Sequence, residues 1–168
     1  MIKKSLAIGF FMALSMASRT SATEVPIVGN VSAKCVIMPD TSGVFGNPTA
    51  DKLSTAQADG GVQPIVRFDV LQANFFKAVI STPRSFTSSP ALTDVVNWTG
   101  SVSTARVSDP LMSAYDTNKI TYDNVTEFNL TVAGTTWFKA SSTAEYGYDK
   151  SFPSETYRAI MSAECIAK

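Results

Sequence analysis

The chain contains no histidine. That one absence removes Ser-His-Asp and Cys-His nucleophilic catalysis together with the commonest metal ligand. Cysteine is nearly as scarce. The only two, Cys35 and Cys165, lie far apart and have no histidine to join them in a zinc site. Charged residues make up 17% of the chain and form no block of one sign, which argues against a nucleic-acid surface. No window carries a helical apolar stripe of about ten residues or more. Beyond the N-terminal segment, no apolar run approaches the roughly 20 residues of a membrane helix.

What is present starts with residues 1–22. Lys3 and Lys4, the apolar run Leu6 to Met16 and the small residues up to Ala22 read as a secretory signal cleaved after Ala22. The remaining 146 residues suit one domain with its own core. Three of the fourteen basic residues leave with the signal, so eleven face fourteen acids, a net charge of about −3. The expected product is an exported protein in a compartment that permits disulfides. A Cys35–Cys165 bridge would close nearly the whole domain. The alternative is two buried, reduced cysteines acting as small apolar side chains.

Period-two patterning recurs along the chain and predicts strands. Val62, Pro64, Val66, Phe68 and Val70 alternate with Gln63, Ile65, Arg67 and Asp69; Phe76, Ala78 and Ile80 face away from Phe75, Lys77 and Val79; Val102, Thr104 and Arg106 oppose Ser103, Ala105 and Val107; and Phe128, Leu130 and Val132 alternate with Glu127, Asn129 and Thr131. A short aromatic strand around Trp137 and Phe138 follows the turn at Ala133-Gly134. The last stretch, TYRAIMSAECIAK, sets Tyr157, Ala159, Met161, Ala163, Cys165 and Ala167 on one face. Turn clusters such as Asp40 to Gly43, Asp59 to Gly61 and Ser88 to Pro90 separate the strands. The stretch from Pro39 to Gly61 is long for a loop and is expected to hold a short edge strand or a helical turn. The fold expected is an all-β sandwich.

Chemistry-bearing constellations are few. Asp94, Asp109, Asp116 and Asp123 could be nominated as a glycosidase-like carboxylate pair, yet each sits among turn residues and reads better as a turn or cap. No catalytic residue, metal or cofactor is assigned, and no enzyme is expected. Tyr146 and Tyr148, flanking Gly147, could line a glycan or receptor site, or else pack at a rim.

The stretch TEVPIVGNVSAKCVI, Thr23 to Ile37, is apolar or glycine at every odd position from Val25 onward. Chain termini are usually frayed and polar unless something ties them down. VGNVSAKCVI at the front and FPSETYRAIMSAECIAK at the back together resemble a fimbrial subunit, or pilin, of the chaperone-usher kind. PALTDVVN, Pro90 to Asn97, is similar to a segment of enterobacterial colonisation-factor pilins. In type 1 subunits the first-strand cysteine pairs with one early in the chain, whereas here its only possible partner is Cys165.

The resemblance implies an immunoglobulin-like β-sandwich that lacks its last strand and is completed by a donor strand. Residues 23–32 are then the N-terminal donor extension, with Val25, Ile27, Gly29 and Val31 as its inserting side chains, and residues 33–168 form the sandwich. Tyr157, Ala159, Met161 and Ala163 belong to the strand beside the acceptor groove. The implied partners are further copies or related pilins, a periplasmic chaperone and an outer-membrane usher, with a host glycan or receptor beyond them. The implied location is a fimbria at the cell surface, reached through the periplasm, and the implied assembly is head-to-tail. The competing expectation is a self-complete secreted sandwich that binds a glycan or receptor as a monomer.

Overall fold

The computed structural model describes residues 33–168. The expected signal and the donor extension, with Val25, Ile27, Gly29 and Val31, lie outside the described residues. Among the described residues ten strands occur in the order β1 (Cys35–Thr41), β2 (Gly46–Thr49), β3 (Lys52–Ser54), β4 (Ile65–Val70), β5 (Phe76–Ser81), β6 (Val96–Val107), β7 (Ile120–Tyr122), β8 (Val125–Leu130), β9 (Gly134–Tyr146) and β10 (Ser162–Ala167). They form two antiparallel sheets. In the first, β9 is central: β6 runs along one side of it, while β4 and then β1 flank one half of the other side, and β3 and then β2 flank the remaining half. The second sheet has the order β10-β5-β8-β7. The expected all-β sandwich is the fold found.

Alternation decides which face each strand buries. On β4, Val66, Phe68 and Val70 point inward, and on β8 Thr126, Phe128 and Leu130 do so. Phe68 meets Phe138 edge-on at 5.5 Å between centroids, and Phe128 lies 4.3 Å from Phe138. With Ile80, Val102 and Met112 these rings fill one end of the interior.

Met112 comes from a feature that strand periodicity does not reveal. Pro110–Ala114 form a 3₁₀ turn that runs into a single helical turn, α1 (Tyr115–Asn118). Asp109 starts it by accepting the Leu111 N–H at 2.8 Å, with Pro110 in the first position, where its missing N–H costs nothing. Asp116 then takes the Thr104 N–H on both carboxylate oxygens, at 3.1 and 3.0 Å, where β6 bulges against β9. Gly134 opens β9 at φ 136°, and a Cβ there would lie 2.8 Å from the Met112 methyl carbon.

Several strands differ in extent from the sequence expectation. The stretch starting at Val62 becomes strand only from Ile65, because Val62 instead bridges to Val44. The Trp137-Phe138 strand is 13 residues long. Between Pro39 and Gly61 lie both β2 and β3 and a 3₁₀ turn at Gln57–Asp59. The final segment pairs only from Ser162, opposite Ser81. Its partner strand cannot continue upward, since Pro83 has no N–H and the Thr82 N–H is given to Asn124 O at 2.8 Å.

Candidate functional site

Two strand edges lie on the same side of the sandwich. Among the described residues, β1 ends the first sheet and pairs only with β4, and β10 ends the second and pairs only with β5. Cys35 at the start of β1 is bonded to Cys165 near the end of β10, so the expected disulfide is formed, with Cα atoms 6.4 Å apart. The strands therefore run antiparallel to each other, converging at the bond. Beyond their other ends, Ser42 to Phe45 after β1 faces Arg158 to Met161 before β10 across a groove.

Each wall is tied to something other than the opposite wall. Val44 exchanges two backbone hydrogen bonds with Val62, at 2.9 and 2.8 Å. The Trp137 indole N–H reaches over β4 to Asp40 Oδ1 at 3.1 Å and steadies the upper end of β1. On the other wall Arg158 donates its N–H to Ser88 O at 2.8 Å and accepts from Thr87 N at 2.7 Å. Phe86 packs against Tyr157, Phe152 and Trp98 at 5.0, 6.0 and 4.8 Å, and this aromatic cluster holds the far end of the groove.

The groove opens into the sandwich interior. A cavity of about 370 Å³ is lined by Phe45, Thr55, Pro64, Ala140, Ser142, Ala159 and Met161, among others, and only Arg158 at its rim is charged. A second, also about 370 Å³, continues past Val44, Leu53, Glu155 and Tyr157. The cause is residue size. After Phe138 the inward positions of β9 are Ala140, Ser142 and Ala144, and the facing wall contributes Ala159, so the upper interior is underfilled while the lower is packed with rings. Ser142 Oγ is buried and has no hydrogen-bond partner among the described residues.

Of the acceptor-strand residues expected from the sequence, Met161 and Ala159 line the first cavity and Ala159 and Tyr157 the second. Ala163 lies nearer the bond and packs against the core. Ala167, expected on the same apolar face, is exposed. Burial raises the Tyr157 phenol pKa, with Tyr146 and Glu155 adding to the effect, and its hydroxyl donates to Pro153 O at 3.0 Å. The groove residues that sequence reasoning missed are Phe45, Thr55, Ala140 and Ser142. The three small residues at alternate positions of β9 are the signal that could have found the last two.

Other candidates separate. Tyr146 is 6% exposed, stacks on Phe152 at 5.2 Å and accepts the Thr93 N–H on its hydroxyl, whereas Tyr148 is 92% exposed, so the two do not form one platform. Asp94 accepts the N–H of Val95, Asp109 and Asp116 cap backbone as described, and Asp123 sits at φ 49° in the β7–β8 turn. Among the described residues no cluster of acids and cysteines could hold a metal ion.

The groove can take an extended apolar chain. It continues from two strands that each have one partner among the described residues, and it has an uncharged floor and a depth that reaches buried positions of β9. Comparison of the chain with protein-family models, curated proteins and solved structures finds no match.

Proposed function

We propose that this chain is a structural subunit of a bacterial surface fimbria, exported through the periplasm and polymerised head-to-tail by donor-strand complementation. The N-terminal segment Thr23 to Ser32 of one copy, with Val25, Ile27, Gly29 and Val31 on one face, lies in the groove of the next. A chaperone covers the groove before assembly at an outer-membrane usher. The observation that carries the reading is the open groove between the segment that follows β1, Ser42 to Phe45, and the segment that precedes β10, Arg158 to Met161, with Ala140 and Ser142 among its lining residues. Ten residues in strand conformation span roughly 33 Å at about 3.3 Å per residue, enough to fill the groove and link two bodies. Donor end and groove are different surfaces, so the contact propagates and does not close into a pair.

The test is Ile27→Asp in the full chain, produced with its chaperone and usher. Multimers that survive in detergent and dissociate on heating disappear, while chaperone-bound monomer accumulates. Multimers at the unsubstituted yield would overturn the proposal.

A further inference from the structure

The outer face of the first sheet carries a cationic row beside an open concavity. Val66, Phe68, Phe138 and Ala140 point into the core, so Arg67, Trp137 and Lys139 between them point out. Strand register sets Met38, Arg67, Trp137 and Arg106 side by side across four strands, and the next outward row holds Thr41, Ile65, Lys139 and Ser103. The Trp137 indole lies across β4, since its N–H ends on Asp40 Oδ1 at 3.1 Å. The Arg106 guanidinium stacks over that ring, with its central carbon 3.8 Å from the ring centroid.

The acids nearby are already engaged. Asp69 accepts from Arg67 at 2.9 Å and from the Thr135 hydroxyl at 2.8 Å, while Asp40 accepts from Trp137 and the Thr41 hydroxyl. Asp59 is held by Lys52 at 3.4 Å. Glu145, the next acid on this face of β9, stands six residues beyond Lys139, about 20 Å along the strand. Arg106 and Lys139 enter no ion pair among the described residues. Beside them a concavity of about 280 Å³ is lined by Thr41, Gln57, Val62, Gln63, Ile65 and Lys139.

The geometry points to this face as a binding site for a carboxylated saccharide of the uronic-acid kind. Each Gln amide both donates and accepts, as does the Thr41 hydroxyl, which is what a run of sugar hydroxyls requires. Val62, 42% exposed, and Ile65 offer aliphatic surface to the C–H groups of a sugar ring. Lys139 and Arg106 stand one row apart, about 7 Å along the strands, so a chain of sugars with a carboxylate on each unit can meet both. An acidic peptide has the carboxylates but no hydroxyls for Gln57 and Gln63. The site occupies the opposite face of the sheet from Ala140 and Ser142, so it stands whether or not the groove takes a donor segment.

The test uses the full chain as a monomer with isotope-labelled indole nitrogens, and trigalacturonate as the probe at low salt. The two tryptophans give two indole N–H signals, assigned with Trp98→Phe. The Trp137 signal shifts saturably in the millimolar range, while that of Trp98, packed against Phe45 and Phe86, stays in place. Salt at about 0.5 M weakens the binding severalfold. Lys139→Gln and Arg106→Gln each lower the affinity about three- to fivefold, the scale of an exposed ion pair, and Lys139→Arg retains it. The fully methyl-esterified trisaccharide, with hydroxyls but no charge, leaves the Trp137 signal unmoved, and so does triglutamate, with charge but no sugar. An equal shift with the ester overturns carboxylate recognition, and an equal shift with triglutamate overturns saccharide recognition. No shift with trigalacturonate, or unchanged affinity in both Gln variants, overturns the site itself.

Discussion

Ala140→Leu tests the underfilled interior directly. Ala140 is 1% exposed and lines the first cavity, so the new side chain would enter existing space. Three added carbons, each taken as about the 30 Å³ of a water, occupy roughly a quarter of the cavity's volume. At about 0.8 kcal/mol per buried carbon the upper limit is near 2.4 kcal/mol of added stability. The cavity opens to solvent along the groove, which reduces the expected gain to about 1–2 kcal/mol, a rise of about 3–8 °C in Tm for a domain of this size. The matched control is Ala78→Leu. Ala78 is fully buried against the ring-packed end, and the same three carbons there must displace neighbours, at a cost of about 1–3 kcal/mol. Thermal melts of the two variants should therefore move in opposite directions. The proposed donor insertion adds a second readout, because a leucine at position 140 takes groove space that an inserting side chain would fill, and multimers should be lost from the more stable protein. A fall in Tm for Ala140→Leu comparable to that of Ala78→Leu would refute the open cavity. A rise in Tm with unchanged multimer yield would refute the groove as the assembly surface.

Two further outcomes rest on the described domain alone. Replacing both Cys35 and Cys165 by Ala releases a loop with a sequence separation of 130, for which chain entropy gives a loss of about 5 kcal/mol; urea unfolding of the monomer checks it, and a loss under about 1 kcal/mol would show that the bond constrains little. The Glu127 carboxyl is held below the usual glutamate range, first by the Lys77 ammonium 2.9 Å away and then by the Tyr122 hydroxyl. A lowered folded-state pKa means that its stabilisation is complete above the ordinary value of about 4.3 and is lost as pH falls through the folded-state value. Glu127→Gln should therefore flatten the decline of Tm below about pH 4, and an identical acid slope in both proteins would remove Glu127 from the account.

Much of the sandwich was legible because its strands are half-buried, and alternation such as Val66, Phe68, Val70 or Phe128, Leu130 records which face meets the core. The pattern was less informative where burial is set by something other than side-chain alternation. Trp137 and Phe138 marked only the first half of β9, since its later inward residues include Ala140, Ser142 and Ala144, small enough to pass for a polar loop. The turn from Pro110 to Asn118 is too short for a helical period, although Asp109-Pro110 is the pairing expected at its start. The end of β5 was set by Pro83, a residue whose effect falls on a strand nearly eighty positions away in sequence.

The candidate site divides along the same line. Ala159 and Met161 could be placed on one face of the last segment because that segment alternates, and small residues on it suggested unfilled space. What alternation could not supply was the opposite wall and the floor, which come from Ser42 to Phe45, Thr55 and β9, segments brought together only by the two sheets. Nor could it show that Cys35 and Cys165 stand at one end of the groove. That placement ties the edge strand of one sheet, β1, to the edge strand of the other, β10, besides restricting the unfolded chain.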